Sequence, residues 1–184
     1  MAKIIGFVGS PRKEGNTEKL IKTVLEGAAE KGAETELIYL NDLNIRGCQG
    51  CDKCKETKHC ATEDDMLPLH QKIIEADGIV VGSPIYAHYV TGQTKTFLDR
   101  WYAFQNKDLT SWIPKGKRFI FAISYAEDDK NLYRGVLSSL SEAITPLKPE
   151  YSKALILAGT QGKDDAEKNS NVLEKAKGMG QALV

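Results

Sequence analysis

Two groups of residues in this 184-residue chain have the types and spacing to do chemistry. The first is Cys48, Cys51, Cys54 and Cys60, all four cysteines of the sequence within one thirteen-residue span. The pattern Cys-x2-Cys-x2-Cys-x5-Cys supplies four soft thiolates over a short reach, enough to ligate the four irons of a cubane or one tetrahedral zinc ion. The x2 spacings let three cysteines converge from one compact turn, and Gly47 and Gly50 ease the bend. His59 can replace one thiolate in a zinc site, although alone it reads as a neighbour. Free or redox-active thiols are a third reading. In a chain without the plan of a secretory signal, such crowding argues against a disulfide framework.

The second group is Gly9-Ser10-Pro11-Arg12-Lys13-Glu14-Gly15-Asn16-Thr17, which suits an anion. Ser10 and Thr17 carry hydroxyls, Gly15 lets the backbone approach, and Arg12 adds a charge or a fork of donors. Asn16 bonds either the anion or the loop's own backbone. The run is neither Gly-x-Gly-x-x-Gly nor a Gly-Lys-Ser/Thr triphosphate loop, so a phosphomonoester suits it better than a dinucleotide pyrophosphate. The bland alternative is a turn that binds nothing.

Both groups need elements to position them. Apolar runs of strand length at Lys3–Gly9, Glu34–Leu40, Gly78–Gly82, Arg118–Ser124 and Lys153–Gly159 alternate with helical stretches, which predicts a parallel sheet covered on both faces. Leu20, Val24 and Ala28, with Ile21 and Leu25, form the apolar stripe of the first helix. Further helices are predicted over Asp65–Ala76, capped by Asp64 or Asp65, over Gln93 to about Phe104, and near Asn131–Thr145 up to Pro146. The last, near Ala166–Leu183, is expected to break at Gly178 and Gly180. The fold class is α/β: three layers, a five-stranded parallel sheet with helices on both faces, in one domain spanning 1–184. The phosphate loop then leaves the first strand at the sheet's carboxyl edge and opens the first helix, whose free N–H groups and dipole favour negative charge. The irregular stretch 41–62, which holds every cysteine, reads as a functional insertion.

Composition narrows the classes. Lys+Arg and Asp+Glu balance at 25 each, so no basic field points to nucleic acid or an anionic membrane surface. With 41% hydrophobic and 27% charged residues and no apolar run of membrane-spanning length, a cytoplasmic protein is expected.

Gly9-Ser10-Pro11-Arg12 with Gly15-Asn16-Thr17, then Gly82-Ser83-Pro84-Ile85-Tyr86, then Thr91-Gly92-Gln93-Thr94-Lys95-Thr96-Phe97-Leu98-Asp99-Arg100, together resemble the NADPH-dependent FMN reductase and iron-sulfur flavoprotein families. The resemblance covers roughly residues 3–104 and implies a flavodoxin-like fold that holds FMN. It implies phosphate contacts at Ser10, Arg12, Asn16 and Thr17, and backbone contacts to the isoalloxazine at Pro84, Ile85 and Tyr86. Beyond residue 104 the chain departs from the family pattern, and there Ser124 and Tyr125 are expected to offer hydrogen bonds to the ring carbonyls. The resemblance further implies NAD(P)H as co-substrate, a small-molecule or protein electron acceptor, and a homodimer or homotetramer. The cysteine spacing resembles the compact motif of iron-sulfur flavoproteins, with Cys48, Cys51, Cys54 and Cys60 on a [4Fe–4S] cluster; the alternative activity is then electron carriage with a ferredoxin-like partner. A flavin-free binding module is the remaining alternative.

Several residues near these motifs have ordinary readings. His88 reads as a surface histidine, and Lys95 and Arg100 as solvated or salt-bridged helix charges. Gly92 is expected to allow a close approach. Where relatives carry a glycine-rich loop, this chain has Glu127, Asp128 and Asp129, expected to face water or cap the next helix. Trp101, Tyr102, Phe104 and Trp112 serve an interface, a pocket or the core.

Overall fold

The computed structural model describes residues 1–147 and 149–184. In chain order the elements are β1 (Lys3–Val8), α1 (Asn16–Glu30), β2 (Glu34–Tyr39), the single turn α2 (Cys54–Thr57), α3 (Met66–Glu75), β3 (Gly78–Tyr86), β4 (Tyr89–Val90), α4 (Gly92–Asp99), β5 (Arg118–Ser124), α5 (Arg134–Ile144), β6 (Tyr151–Leu157) and α6 (Ser170–Gln181). Short 3-10 segments follow β2, α4 and α5.

The sheet order is β2-β1-β3-β5-β6, all parallel, which is the flavodoxin-like order. A sixth strand, β4, adds antiparallel to β3. The predicted third strand is therefore longer than Gly78–Gly82. It runs through Ser83-Pro84-Ile85-Tyr86 and turns back over Ala87 and His88, both at positive φ (47° and 64°), as a two-residue hairpin requires. Pro84 fits because it stands late in the strand, opposite Ser124 of β5.

Side-chain alternation divides the core between the two faces. Ile4, Val8, Val80, Ile120, Leu155 and Leu157 meet α1 and α6 on one face; Ile5, Phe7, Ile79, Val81, Phe119, Phe121 and Ile123 meet the helices of the other. Each such large apolar side chain, fully buried, contributes about 1.5–3 kcal/mol. Trp101 and Phe104 belong to the second core, so the aromatic stretch is largely packing rather than surface.

Two expectations about helices change. The helix beginning near Gln93 is α-helical only to Asp99 and tightens into a 3-10 segment over Arg100–Phe104. The last helix does not break at its glycines, because tertiary packing uses one of them: a Cβ on Gly180 would collide with the Val24 carbonyl, and one on Gly27 with the Lys177 carbonyl. These two glycines let α1 and α6 touch backbone to backbone, whereas Gly178 faces open space. No helix among the described residues is long and apolar enough to cross a membrane.

Candidate functional site

The strand order reverses direction between β1 and β3, so the loops leaving these strands part and open a crevice at the carboxyl edge. The loop after β1 is held from below. Gly9 N–H donates to the Gly82 carbonyl at 2.7 Å, and the Thr91 hydroxyl donates to the Gly9 carbonyl at 2.7 Å. Thr91 in turn pairs with the Thr94 hydroxyl at 2.8 Å and its N–H donates to Ser83 Oγ. A Cβ on Gly9 would collide with Thr94 Oγ1, and one on Gly82 with Ile21. Gly9 and Gly82 are thus the close-approach glycines; Gly92, expected in that role, faces open space.

The Ser10 hydroxyl accepts from Arg12 N–H at 3.1 Å, which curls the loop toward α1. Helix α1 starts on Gly15, which has no side chain to cap it. Glu18 instead reaches back and accepts from Glu14 N–H at 2.6 Å, while Lys22 pairs with it at 2.6 Å. Burial pushes the Glu18 carboxyl up, but the bonds from Lys22 and Glu14 outweigh this and hold it below its ordinary range. Glu18 therefore satisfies the N–H just before the Gly15 cap, and the first-turn N–H groups are left uncapped by any side chain.

One cleft of about 340 Å³ is bordered by Ser10, Arg12, Asn16 and Thr17 from the first loop, by Pro84, Ile85 and Tyr86 from the end of β3, and by Ser124 from the end of β5. All eight cofactor-binding residues expected from the sequence meet there. The Thr17 and Ser124 hydroxyls lie 2.9 Å apart and are buried, tying α1 to β5. Tyr125 and Ala126 continue the wall; Glu127, Asp128 and Asp129 are exposed.

Asn16 lines the cleft but spends its amide elsewhere. Its Nδ2 donates to the Gly162 carbonyl at 2.7 Å, and its Oδ1 accepts from Ala166 N–H at 2.8 Å. It grips a different loop, the one after β6, rather than its own. That loop is the part that sequence reasoning missed: Thr160, Gln161, Gly162 and Lys163 close the fourth side of the cleft. Asp165 shapes it, its carboxylate accepting from Gln161 and Gly162 N–H at 2.7 and 2.6 Å and pairing with Lys168; the Gly162 bond, then Lys168, hold its pKa down at about 2. The available signal was Gly159-Thr160-Gln161-Gly162-Lys163, a glycine-rich turn with a cation at a strand's carboxyl end.

The four cysteines border a second, small cavity of about 20 Å³, together with Thr62, Arg100 and Tyr102. Cys48 and Cys51 are exposed, Cys60 is half-buried and Cys54 is buried. Burial pushes the Cys54 thiol up; the Lys55 cation opposes this, and the neighbouring cysteines add to the rise. Among the described residues no three Cys, His, Asp or Glu donors are gathered for a single ion. In donor type, four thiols around one cavity fit a thiolate-ligated cluster or a tetrahedral zinc ion.

Of the two readings for Arg100, solvated or salt-bridged, the structure has the second, and buried. The side chain is 1% exposed, paired with Asp64 through both guanidinium ends, and donates to the carbonyls of Arg46 and Thr62. Burial pushes the Asp64 carboxyl up, but Arg100 and the N–H groups of Arg46 and Met66 outweigh that and hold it low. Asp64 thus caps the first turn of α3 and ties both ends of the cysteine segment to the body.

The family model described as NADPH-dependent FMN reductase matches residues 2–126. An iron-sulfur flavoprotein of Archaeoglobus fulgidus is 30% identical over 175 residues, 94% of this chain and 78% of the relative. One from Methanocaldococcus jannaschii is 47% identical over 98 residues, 53% of this chain and 51% of the relative, so this match takes in about half of that protein's length. The solved NAD(P)H:quinone oxidoreductase from Methanothermobacter marburgensis shares the fold, with a TM-score of 0.80 at 18% identity over 100% of this chain and 99% of that one. With a family model spanning residues 2–126 and a 30%-identical relative aligned over 94% of this chain's residues, the chain belongs to the NADPH-dependent FMN reductase family.

Proposed function

We propose that the protein is an FMN-dependent oxidoreductase, reduced by NAD(P)H and oxidised by a small-molecule or protein acceptor. The observation that carries this reading is the cleft itself: four loops of the carboxyl edge converge on one opening whose floor includes an uncapped helix N-terminus. Its size lies in the range of small-molecule sites.

The cleft's residues fit a flat heteroaromatic ring on a phosphorylated chain. First-turn N–H groups of α1, with the Ser10 hydroxyl and the Arg12 guanidinium, suit a phosphate dianion. Lys163 adds a second cation from the opposite rim. Pro84, Ile85, Tyr86 and Tyr125 offer apolar and aromatic surface that excludes water from a ring, and Tyr86, 44% exposed, stands where it can cover one. FMN, when bound, supplies hydride and single-electron chemistry; the chain contributes orientation and electrostatics. No side chain here is assigned as a general acid or base.

Cys48, Cys51, Cys54 and Cys60 would hold a [4Fe–4S] cluster, which supplies one-electron steps. The single cavity bordered by all four thiols supports this. It also supports the second reading, in which the protein carries electrons between FMN, the cluster and a ferredoxin-like partner without using NAD(P)H.

Anaerobic purification followed by an absorption spectrum and FMN, iron and sulfide analysis tests both prosthetic groups. Ser10→Ala with Arg12→Ala is expected to weaken FMN retention at least tenfold; unchanged retention would sink the phosphate assignment. Bleaching of the bound flavin by NADPH or NADH supports the reductase, and its absence supports the carrier.

A further inference from the structure

Among the described residues, one buried cation touches a cysteine sulfur. The Arg100 Nη2 donates to Cys60 Sγ at 3.3 Å. The side chain also borders the cavity shared by the four cysteines, and its Nε is buried with no hydrogen-bond partner. Its position is fixed from several sides. It opens the 3-10 segment Arg100–Phe104, whose Trp101 and Phe104 are in the core, and its own carbonyl accepts from His70 Nε2 at 3.2 Å. Asp64 neutralises the guanidinium at 2.5 Å on Nη1 and 3.1 Å on Nη2, so the pair is neutral while its positive member faces the sulfur.

We infer that Arg100 is a positioning residue that sets the reduction potential of the cluster held by Cys48, Cys51, Cys54 and Cys60, through its N–H···S bond to Cys60 and its opposition to Asp64. The inference rests on the cluster reading above. One-electron reduction adds a negative charge to the cluster and its thiolates. A buried donor cation on a ligand sulfur stabilises that charge and raises the potential, and a carboxylate nearby lowers it. With both groups almost wholly buried, solvent screens neither, so the two should act with opposite signs.

The test is an anaerobic redox titration of the holoprotein, followed by the cluster's electron paramagnetic resonance, for wild type, Arg100→Gln, Arg100→Lys and Asp64→Asn. At the wild-type midpoint, Arg100→Gln is expected to lower the ratio of reduced to oxidised cluster about tenfold, or about 59 mV for one electron. Arg100→Lys, which keeps the charge, should lower it less, and Asp64→Asn should raise it. Shifts of one sign in Arg100→Gln and Asp64→Asn, or ratios within twofold of wild type in both, overturn the inference. Should Arg100→Gln fail to fold, Asp64→Asn decides alone: a rise supports the inference and any other result overturns it. Wild-type protein without iron and sulfide overturns the cluster reading itself, whereas loaded wild type with an unmoved potential in the variants overturns only the role of Arg100.

Discussion

The Thr17 and Ser124 hydroxyls stand 2.9 Å apart, both buried, at the point where the first helix meets the end of β5. Each is the other's partner, so removing one strands the other. Thr17→Val or Ser124→Ala should cost about 1–3 kcal/mol of stability, and the double variant less than the sum of the two. Urea unfolding of all three measures this; additive losses would show that the pair is not coupled.

Asn16 joins the loop after β1 to the loop after β6, through Gly162 and Ala166. Asn16→Ala should free the wall containing Gln161 and Lys163 and weaken FMN retention about tenfold. Asn16→Asp keeps an acceptor for Ala166 but loses the donor to Gly162 and adds negative charge beside the anion site, so it should weaken retention further. Hydrogen exchange over residues 160–166, with an FMN titration, checks both. Unchanged exchange in Asn16→Ala would show that the clamp does not hold the loop.

The glycines of α6 should diverge on substitution. Gly180→Ala meets the Val24 carbonyl and forces α1 and α6 apart, at a cost of about 1–3 kcal/mol. Gly178→Ala enters open space within a helix and should stabilise by about 0.5–1 kcal/mol. Thermal unfolding of the two variants reads the opposite signs.

His70 is buried against the edge of Phe104, and burial is the main cause that pulls its pKa down to about 4 from the ordinary 6.5. Its folded pKa lies below its unfolded one, so the unfolded chain binds the extra proton first as pH falls. Stability should therefore decline from about pH 6.5 toward pH 4, by an amount of the order of 3 kcal/mol from this group, and level off below. His70→Gln should flatten that limb. Urea midpoints at pH 7 and pH 4.5 for both proteins measure it; parallel declines would assign the effect to other groups.

Much of this molecule is written in short-range patterns. Alternating Ile4-Ile5 and Phe7-Val8 specify a strand buried on both faces, and Leu20, Val24 and Ala28 specify the helix that covers it, because side-chain period follows from backbone geometry alone. Four cysteines within thirteen residues need only one short loop to bring them to the same cavity. Ser10 and Arg12 at a strand-to-helix turn fall at the carboxyl edge in any parallel sheet of this kind. Tertiary structure decided what depends on residues far apart in sequence. Asn16 meets Gly162 across 146 positions, and Arg100 meets Cys60 across 40. Whether Gly180 breaks a helix or admits a neighbour depends on Val24, which lies on another helix. No local propensity encodes such pairings, because their partners become neighbours only after the sheet order and the packing of both layers have been set.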